Sequence, residues 1–225
     1  MLFFHTFFFN THSSCLQVAL ETHIRILLGC LTNASVPEAP DTHVMKSFEL
    51  RFADAHEVDR LLKGRSTFQN ANDAALKSLR DLRARCGECR SNIALAISRV
   101  PENSLRLIFA TVHSFGLPDW RPDLLGGTPT SIYNGALESI ALWTFEQAAV
   151  SFAYAHLAPN MRYITDTPLI QKLYKSFVWS YMKNLALKEQ REPGSVKRAL
   201  EENKAYKLRA EVCKIELIYI SYILI

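Results

Sequence analysis

The chain has 225 residues, 48% of them hydrophobic and 21% charged, with only 8 Gly and 9 Pro. That balance provides a core for one large domain, or a domain with a small helical appendage, and it argues against a loop-rich sandwich, long linkers or disorder. The net charge of +4 is concentrated near the C-terminus: residues 171–214 hold 11 Lys or Arg against 5 Glu, a local +6, while 116–170 hold 2 Arg against 5 acids, a local −3.

The chain opens on MLFFHTFFFN, apolar but without the Lys or Arg that begins a signal peptide, and no small-x-small cleavage site follows closely. Residues 14–31 read as a helix. Ser14 with Gln17 makes a capping box, and Leu16, Leu20, Leu27 and Leu31 follow at helical spacing. Residues 32–42 (TNASVPEAPDT) are a loop by composition; Asn33-Ala34-Ser35 within it matches the glycosylation acceptor pattern, which matters only in a secreted chain. Phe48, Leu50 and Phe52 alternate, which allows a short strand near 48–52. Asp54 then offers an N-cap with Glu57 three residues on, and Val58, Leu61 and Leu62 form an apolar face that ends at Gly64.

From Asp73 to Pro101 the pattern predicts one long helix. With Leu79 as heptad position a, the seam runs Leu79, Leu82, Cys86, Cys89, Ile93, Ala96 and Val100, alternating steps of three and four. Residues 98–103 turn into a shorter helix with the stripe Leu105, Ile108, Phe109 and Val112, stopped by Gly116 and Pro118. The segment 131–157 is apolar almost all round, as a helix in the middle of a bundle would be. Glu146 and Gln147 near its centre make a membrane span the poorer reading, since an ionised group there is expensive.

Thr167-Pro168 signals another helix start, and Ile170, Leu173, Tyr174, Phe177, Val178, Tyr181, Met182 and Leu185 form the cleanest stripe in the chain. Pro193-Gly194 stops it, and Ser195 caps a basic helix that runs to about residue 212. The end, IELIYISYILI, is apolar and β-branched but far short of a membrane span. Both ends differ in character from the rest, as a misplaced start codon or a read-through intron would produce; Met45 is the alternative start, leaving 1–44 and 213–225 as segments foreign to the native chain.

Chemistry-bearing motifs are few. Cys86-Gly87-Glu88-Cys89 has a spacing that suits zinc or thiol redox chemistry, because i, i+3 puts both sulfurs on one side of a helical turn. No second Cys or His pair completes a zinc site, and both thiols fall on the apolar seam, where cysteine behaves as a small hydrophobe. Cys86 and Cys89 are therefore weak metal candidates and are expected to be structural. Five scattered cysteines make no disulfide framework, which fits a reducing compartment. His56-Glu57 opens like a zinc-protease helix, but Arg60 stands where the second His belongs. Gly126-Gly127-Thr128 lacks the ending of a phosphate-binding loop, and the remaining His residues stand alone. No catalytic residue and no cofactor is expected, and the chain reads as a non-enzyme. Lys197, Arg198, Lys204 and Lys207 are the candidates for contact with a phosphate backbone; Lys197/Glu201 and Arg198/Glu202 at i, i+4 also suit an ordinary solvated helix.

Two stretches carry resemblances. Val100, Pro101, Leu105, Ile108 and Phe109, within 98–109, resemble the opening of an F-box, although Asn103 stands where that family usually has Glu and Ser104 replaces an apolar residue. The resemblance implies an adaptor of a ubiquitin ligase. Phe177-Val178-Trp179-Ser180-Tyr181-Met182, with Arg191-Glu192-Pro193-Gly194-Ser195-Val196 and Asn203-Lys204-Ala205-Tyr206-Lys207, is similar to predicted proteins of mushroom-forming fungi. That resemblance implies a fungal source and no activity.

The sequence thus predicts an all-α fold, an irregular bundle of about six helices. It divides into a poorly ordered or weakly helical segment 1–45, a helical core 46–191, a basic helix 192–212 and an apolar tail 213–225. The leading expectation is an intracellular, cytoplasmic or nuclear, protein-interaction module with a protein partner and no membrane span. Nucleic-acid association through the basic helices comes second, and the F-box adaptor third.

Overall fold

The computed structural model describes residues 3–64, 73–206 and 208–209. It is all-helical among these residues: α1 Phe3–Leu28, α2 Thr42–Arg51, α3 Ala55–Gly64, α4 Asp73–Glu88, α5 Asn92–Ser98, α6 Glu102–Ser114, α7 Ile132–Val150, α8 Thr167–Lys175 and α9 Lys183–Arg191. A π-helical stretch, Ser176–Met182, joins α8 to α9 without a break, and a further helix, α10, covers 195–206. Helices outnumber the expected six because the predicted 73–100 helix is broken in two, the 167–191 helix is divided by its π-helical stretch, and the segment expected to be extended near 48–52 is mostly helical. None of the described helices is long and apolar enough to cross a membrane.

The α1 helix brings Leu16, Leu20, Ile24 and Leu27 into the same core as the rest of the chain. It runs straight through Ser14, so the expected capping box lies inside a helix, and the Gln17 amide instead bonds Glu21 at 2.8 Å. Its C-terminus closes with paired reverse bonds, Cys30 N to Arg25 O at 2.9 Å and Gly29 N to Ile26 O at 3.2 Å. This closure needs a left-handed residue, supplied by Gly29 at φ +65°.

Residues 48–52 are not a strand. Asp41 accepts the His43 N–H at 2.7 Å and starts α2, which buries Phe48 on its inner side. Phe52, extended just past the helix end, packs on Phe48 with ring centroids 4.6 Å apart. The two aromatics satisfy an alternating pattern and a helical i, i+4 pattern equally, and the Asp41 cap decides between them. The Asp54–Glu57 start of α3 forms as the sequence predicts: Asp54 accepts the Glu57 N–H at 2.7 Å, and the Glu57 carboxylate reaches back to the Ala53 N–H at 3.0 Å. Val58 and Leu62 are then buried against α7.

The predicted helix over 73–100 is two helices. α4 ends at Glu88, and Ser91 accepts the Ala94 N–H at 2.9 Å to start α5. The Ser91 hydroxyl also bonds the Leu31 carbonyl, tying the break to the end of α1. Of the predicted seam, Leu79, Leu82, Cys86 and Val100 are buried, but Cys89, Ile93 and Ala96 are only half-buried; past the break Ala94 and Ile97 face the core instead, because α5 starts in a new register.

The central helix is α7, shorter than the expected 131–157. It stops at Val150; Phe152 sits at φ +58°, and 155–157 form a separate 3-10 turn. Ile140, Ala141, Phe145 and Ala148 are fully buried, while Leu142, Trp143, Glu146 and Gln147 are half-buried, so one side faces the outside of the bundle. Asn134 staples the preceding loop onto it, accepting the Asp123 N–H at 2.9 Å and donating to the Thr128 carbonyl at 2.8 Å. The α8 cap is Asp166, one residue before the expected Thr167, and accepts the Leu169 N–H at 3.1 Å. Ile170, Tyr174, Phe177, Val178, Met182 and Ala186 form the buried stripe of the 167–191 helix.

Candidate functional site

Two surface features, a groove and a cleft, stand out from this scaffold. The groove, about 440 Å³, lies where the 167–191 helix doubles back into α10. Tyr181 and Leu185 come from one wall, Val196 and Leu200 from the other, with Lys188 and Arg191 on the rim. The hairpin is held from outside by Glu189, whose carboxylate accepts the Gly194 N–H at 2.6 Å and the Val196 N–H at 3.3 Å. Those are orphan donors of the α10 N-terminus, where a negative charge is also stabilised by the positive end of the helix dipole. The opposite wall is fixed by Arg25, buried at the end of α1. Its guanidinium donates to the Thr32 carbonyl and the Asn33 side chain, both at 3.1 Å, and lies over the Phe177 ring at 5.4 Å and the Tyr181 ring at 6.0 Å.

The four basic candidates are divided by this arrangement. Lys197 and Lys204 are exposed on α10, and the Lys207 side chain lies outside the described residues. Arg198 is committed to the hairpin: it pairs with Glu192, rather than Glu202, and donates to the Pro193 carbonyl at 3.3 Å. Among the described residues no ion pair joins Lys197 to Glu201. Tyr206 is 73% exposed, so α10 projects its far end from the bundle.

Cys86 falls in the last turn of α4 and Cys89 just past its end, not in mid-helix as expected. Cys86 is buried and its thiol pKa is raised, chiefly by desolvation. The Cys89 thiol points to the Leu31 carbonyl at 3.8 Å. Among the described residues no cluster of three His, Cys, Asp or Glu side chains surrounds them or any other point. The F-box-like stretch forms the α5–α6 turn; Val100, Leu105, Ile108 and Phe109 are buried in this chain's own core and Pro101 is exposed.

The cleft, about 360 Å³, opens between the end of α1, the face of α4 and the C-terminus of α6. Ser78 on α4 and His113 on α6 meet in it, Oγ to Nε2, at 3.0 Å. Desolvation lowers the His113 pKa, against a hydrogen bond to the Leu117 backbone and the charge of Asp119. Gly116 at φ +74° makes the turn that returns Leu117 to the ring, and a Cβ there would come within 2.7 Å of the Arg51 guanidinium. Arg121 bridges Glu38 at 2.7 Å and Asp119 at 3.1 Å beside the cleft, and Arg85 donates to the Gly29 carbonyl. The sequence reading missed this pair because 35 residues separate its members. Ser78 and Asp81 one turn apart on α4 gave no signal that a histidine would face them.

No family model matches the chain, and no curated protein or solved structure does either.

Proposed function

We propose that this chain is a helical protein-interaction module that seats an acidic amphipathic helix in the groove between the 181–191 helix and α10. The observation that carries the reading is the groove's composition. Its apolar walls, Tyr181, Leu185 and Leu200, stay partly open to solvent, and its rim cations Lys188 and Arg191 have no carboxylate partner among the described residues. An amphipathic helix laid in such a groove would bury its apolar stripe and set acidic side chains against the rim. The complementary charges would speed encounter and fix orientation more than they would add affinity. Arg25 and Glu189 hold the two walls against each other, which lessens the ordering entropy that opposes binding.

A display library of amphipathic peptides of about 15–18 residues, roughly four to five turns, tests this against the immobilised full chain. Enrichment of acidic helices, lost on Leu200→Asp and on the double change Lys188→Glu with Arg191→Glu, supports the proposal. Enrichment with no acidic bias, or unaffected by those changes, overturns it. Nucleic-acid association is the second reading, supported by the exposure of Lys197 and Lys204 on the projecting helix.

A further inference from the structure

We propose that Ser78 is a nucleophilic serine, activated by His113, that takes an acyl group from a short-chain ester or thioester bound in the α1–α4–α6 cleft. This site is separate from the groove and independent of what binds there.

Three observations on the cleft support it. The Ser78 Oγ to His113 Nε2 distance of 3.0 Å is within the reach a general base needs to remove the hydroxyl proton. Burial favours the neutral ring, the form able to take the hydroxyl proton, while the Leu117 backbone and Asp119 favour the imidazolium that results. Finally, both side chains are half-buried rather than sealed, and they line an open cleft, so a small ester entering it could reach the pair.

The chemistry balances without a further reactant. Ser78 Oγ bonds to the acyl carbon as His113 Nε2 takes the hydroxyl proton. The bond from the acyl carbon to the alcohol or thiol breaks, and the leaving group departs with the proton from His113. Water, with its proton taken by the same nitrogen, then releases the acid and restores Ser78. Ser78 lies inside α4, where backbone N–H groups are used within the helix, so it has no pair of backbone donors for the developing oxyanion. Loss of one such donor costs about 100- to 1,000-fold in rate. Acylation and release should therefore both be slow, with acylation the faster only for a reactive ester whose leaving group departs easily.

A fluorophosphonate probe tests this on the full chain, because it phosphonylates serine with loss of fluoride when a base takes the proton. Peptide mass spectrometry is expected to find the adduct on Ser78, and none there in Ser78→Ala. His113→Gln, with its unfolding midpoint measured alongside, is expected to slow labelling by about 100-fold or more, the usual contribution of a general base. With p-nitrophenyl acetate the wild type should release a burst of one equivalent of nitrophenol and then turn over slowly. Absence of a Ser78 adduct on the folded wild-type chain overturns the proposal without recourse to any variant. Equal labelling rates in folded His113→Gln would also overturn it, by making the 3.0 Å contact a structural tether of α4 to α6.

Discussion

His23 Nδ1 and the Tyr154 hydroxyl meet at 2.6 Å across 131 residues of sequence. On the other side of the ring, Nε2 meets the Thr144 hydroxyl at 3.0 Å, and that hydroxyl gives its own proton to the Ile140 carbonyl at 2.7 Å. The network therefore assigns the proton of the imidazole to Nε2, with Nδ1 accepting from Tyr154. All three side chains are buried, so a neutral ring between two hydroxyls fastens α1 to the C-terminal half of α7 and to the segment that follows it.

This arrangement predicts acid sensitivity. Desolvation lowers the His23 pKa to about 3, against a hydrogen bond to the Ala141 backbone. A folded pKa below the unfolded value of 6.5 means the folded state resists protonation. Its full contribution is present above pH 6.5 and is lost as pH falls toward 3, at about 1.4 kcal/mol per pH unit. Urea midpoints between pH 7.5 and 4.5 should fall more steeply for the wild type than for His23→Gln. Parallel curves would refute this. Tyr154→Phe leaves a buried acceptor unpaired and should cost about 1–3 kcal/mol at neutral pH.

The centre of α7 is the place least able to take a charge. Ile140 is fully buried between Leu137 and Thr144 on the inner side of the helix. Ile140→Asp should destabilise by several kcal/mol, on the order of 3–5, because an unpaired carboxylate enters the core. A change below about 1 kcal/mol in chemical denaturation would show that the site is more open to water than its packing indicates.

The Cys86–Cys89 pair is expected to be structural. Reduced protein should hold substoichiometric zinc, and Cys86→Ala should cost about 1–2 kcal/mol as a small core truncation. Burial raises the thiol pKa of Cys86, and that of Cys30 to about 11. Both should therefore react with a thiol reagent at pH 8 far more slowly in the folded chain than in denaturant. Stoichiometric zinc that is lost in Cys86→Ala would contradict this reading.

Any nucleic-acid binding should rest on α10. Phosphate contacts release counterions, so affinity should fall steeply with salt and weaken when Lys197, Lys204 and Lys207 are changed to Ala. Arg198→Ala should act differently: Arg198 pairs with Glu192 in the hairpin, so its loss should lower stability by about 0.2–1 kcal/mol, the range of exposed pairs. Labelled duplex and single strand, titrated at low salt to ~10 μM protein, decide the matter; no binding to either makes the basic face an ordinary solvated surface.

What the sequence determined by itself was local. The stripes Leu16, Leu20 and Leu27, Leu105, Ile108 and Val112, and Ile170, Tyr174 and Met182 are buried as their spacing requires, and Asp54 with Glu57 caps α3. A helical period shows which residues face a core, and a cap needs partners only three or four residues away. The tertiary structure decided where the chain turns. The apolar period runs through the sequence from Leu79 to Val100 and gives no sign of the break at Ser91, after which Ala94 and Ile97 rather than Ile93 and Ala96 turn into the core; the Leu31 carbonyl that helps hold the break comes from just past the end of another helix. The same limit applies to chemistry. Ser78 and His113, or His23, Thr144 and Tyr154, lie on faces that look ordinary in isolation. Their meeting depends on how helices distant in sequence pack, to within an ångström, and no local pattern carries that distance.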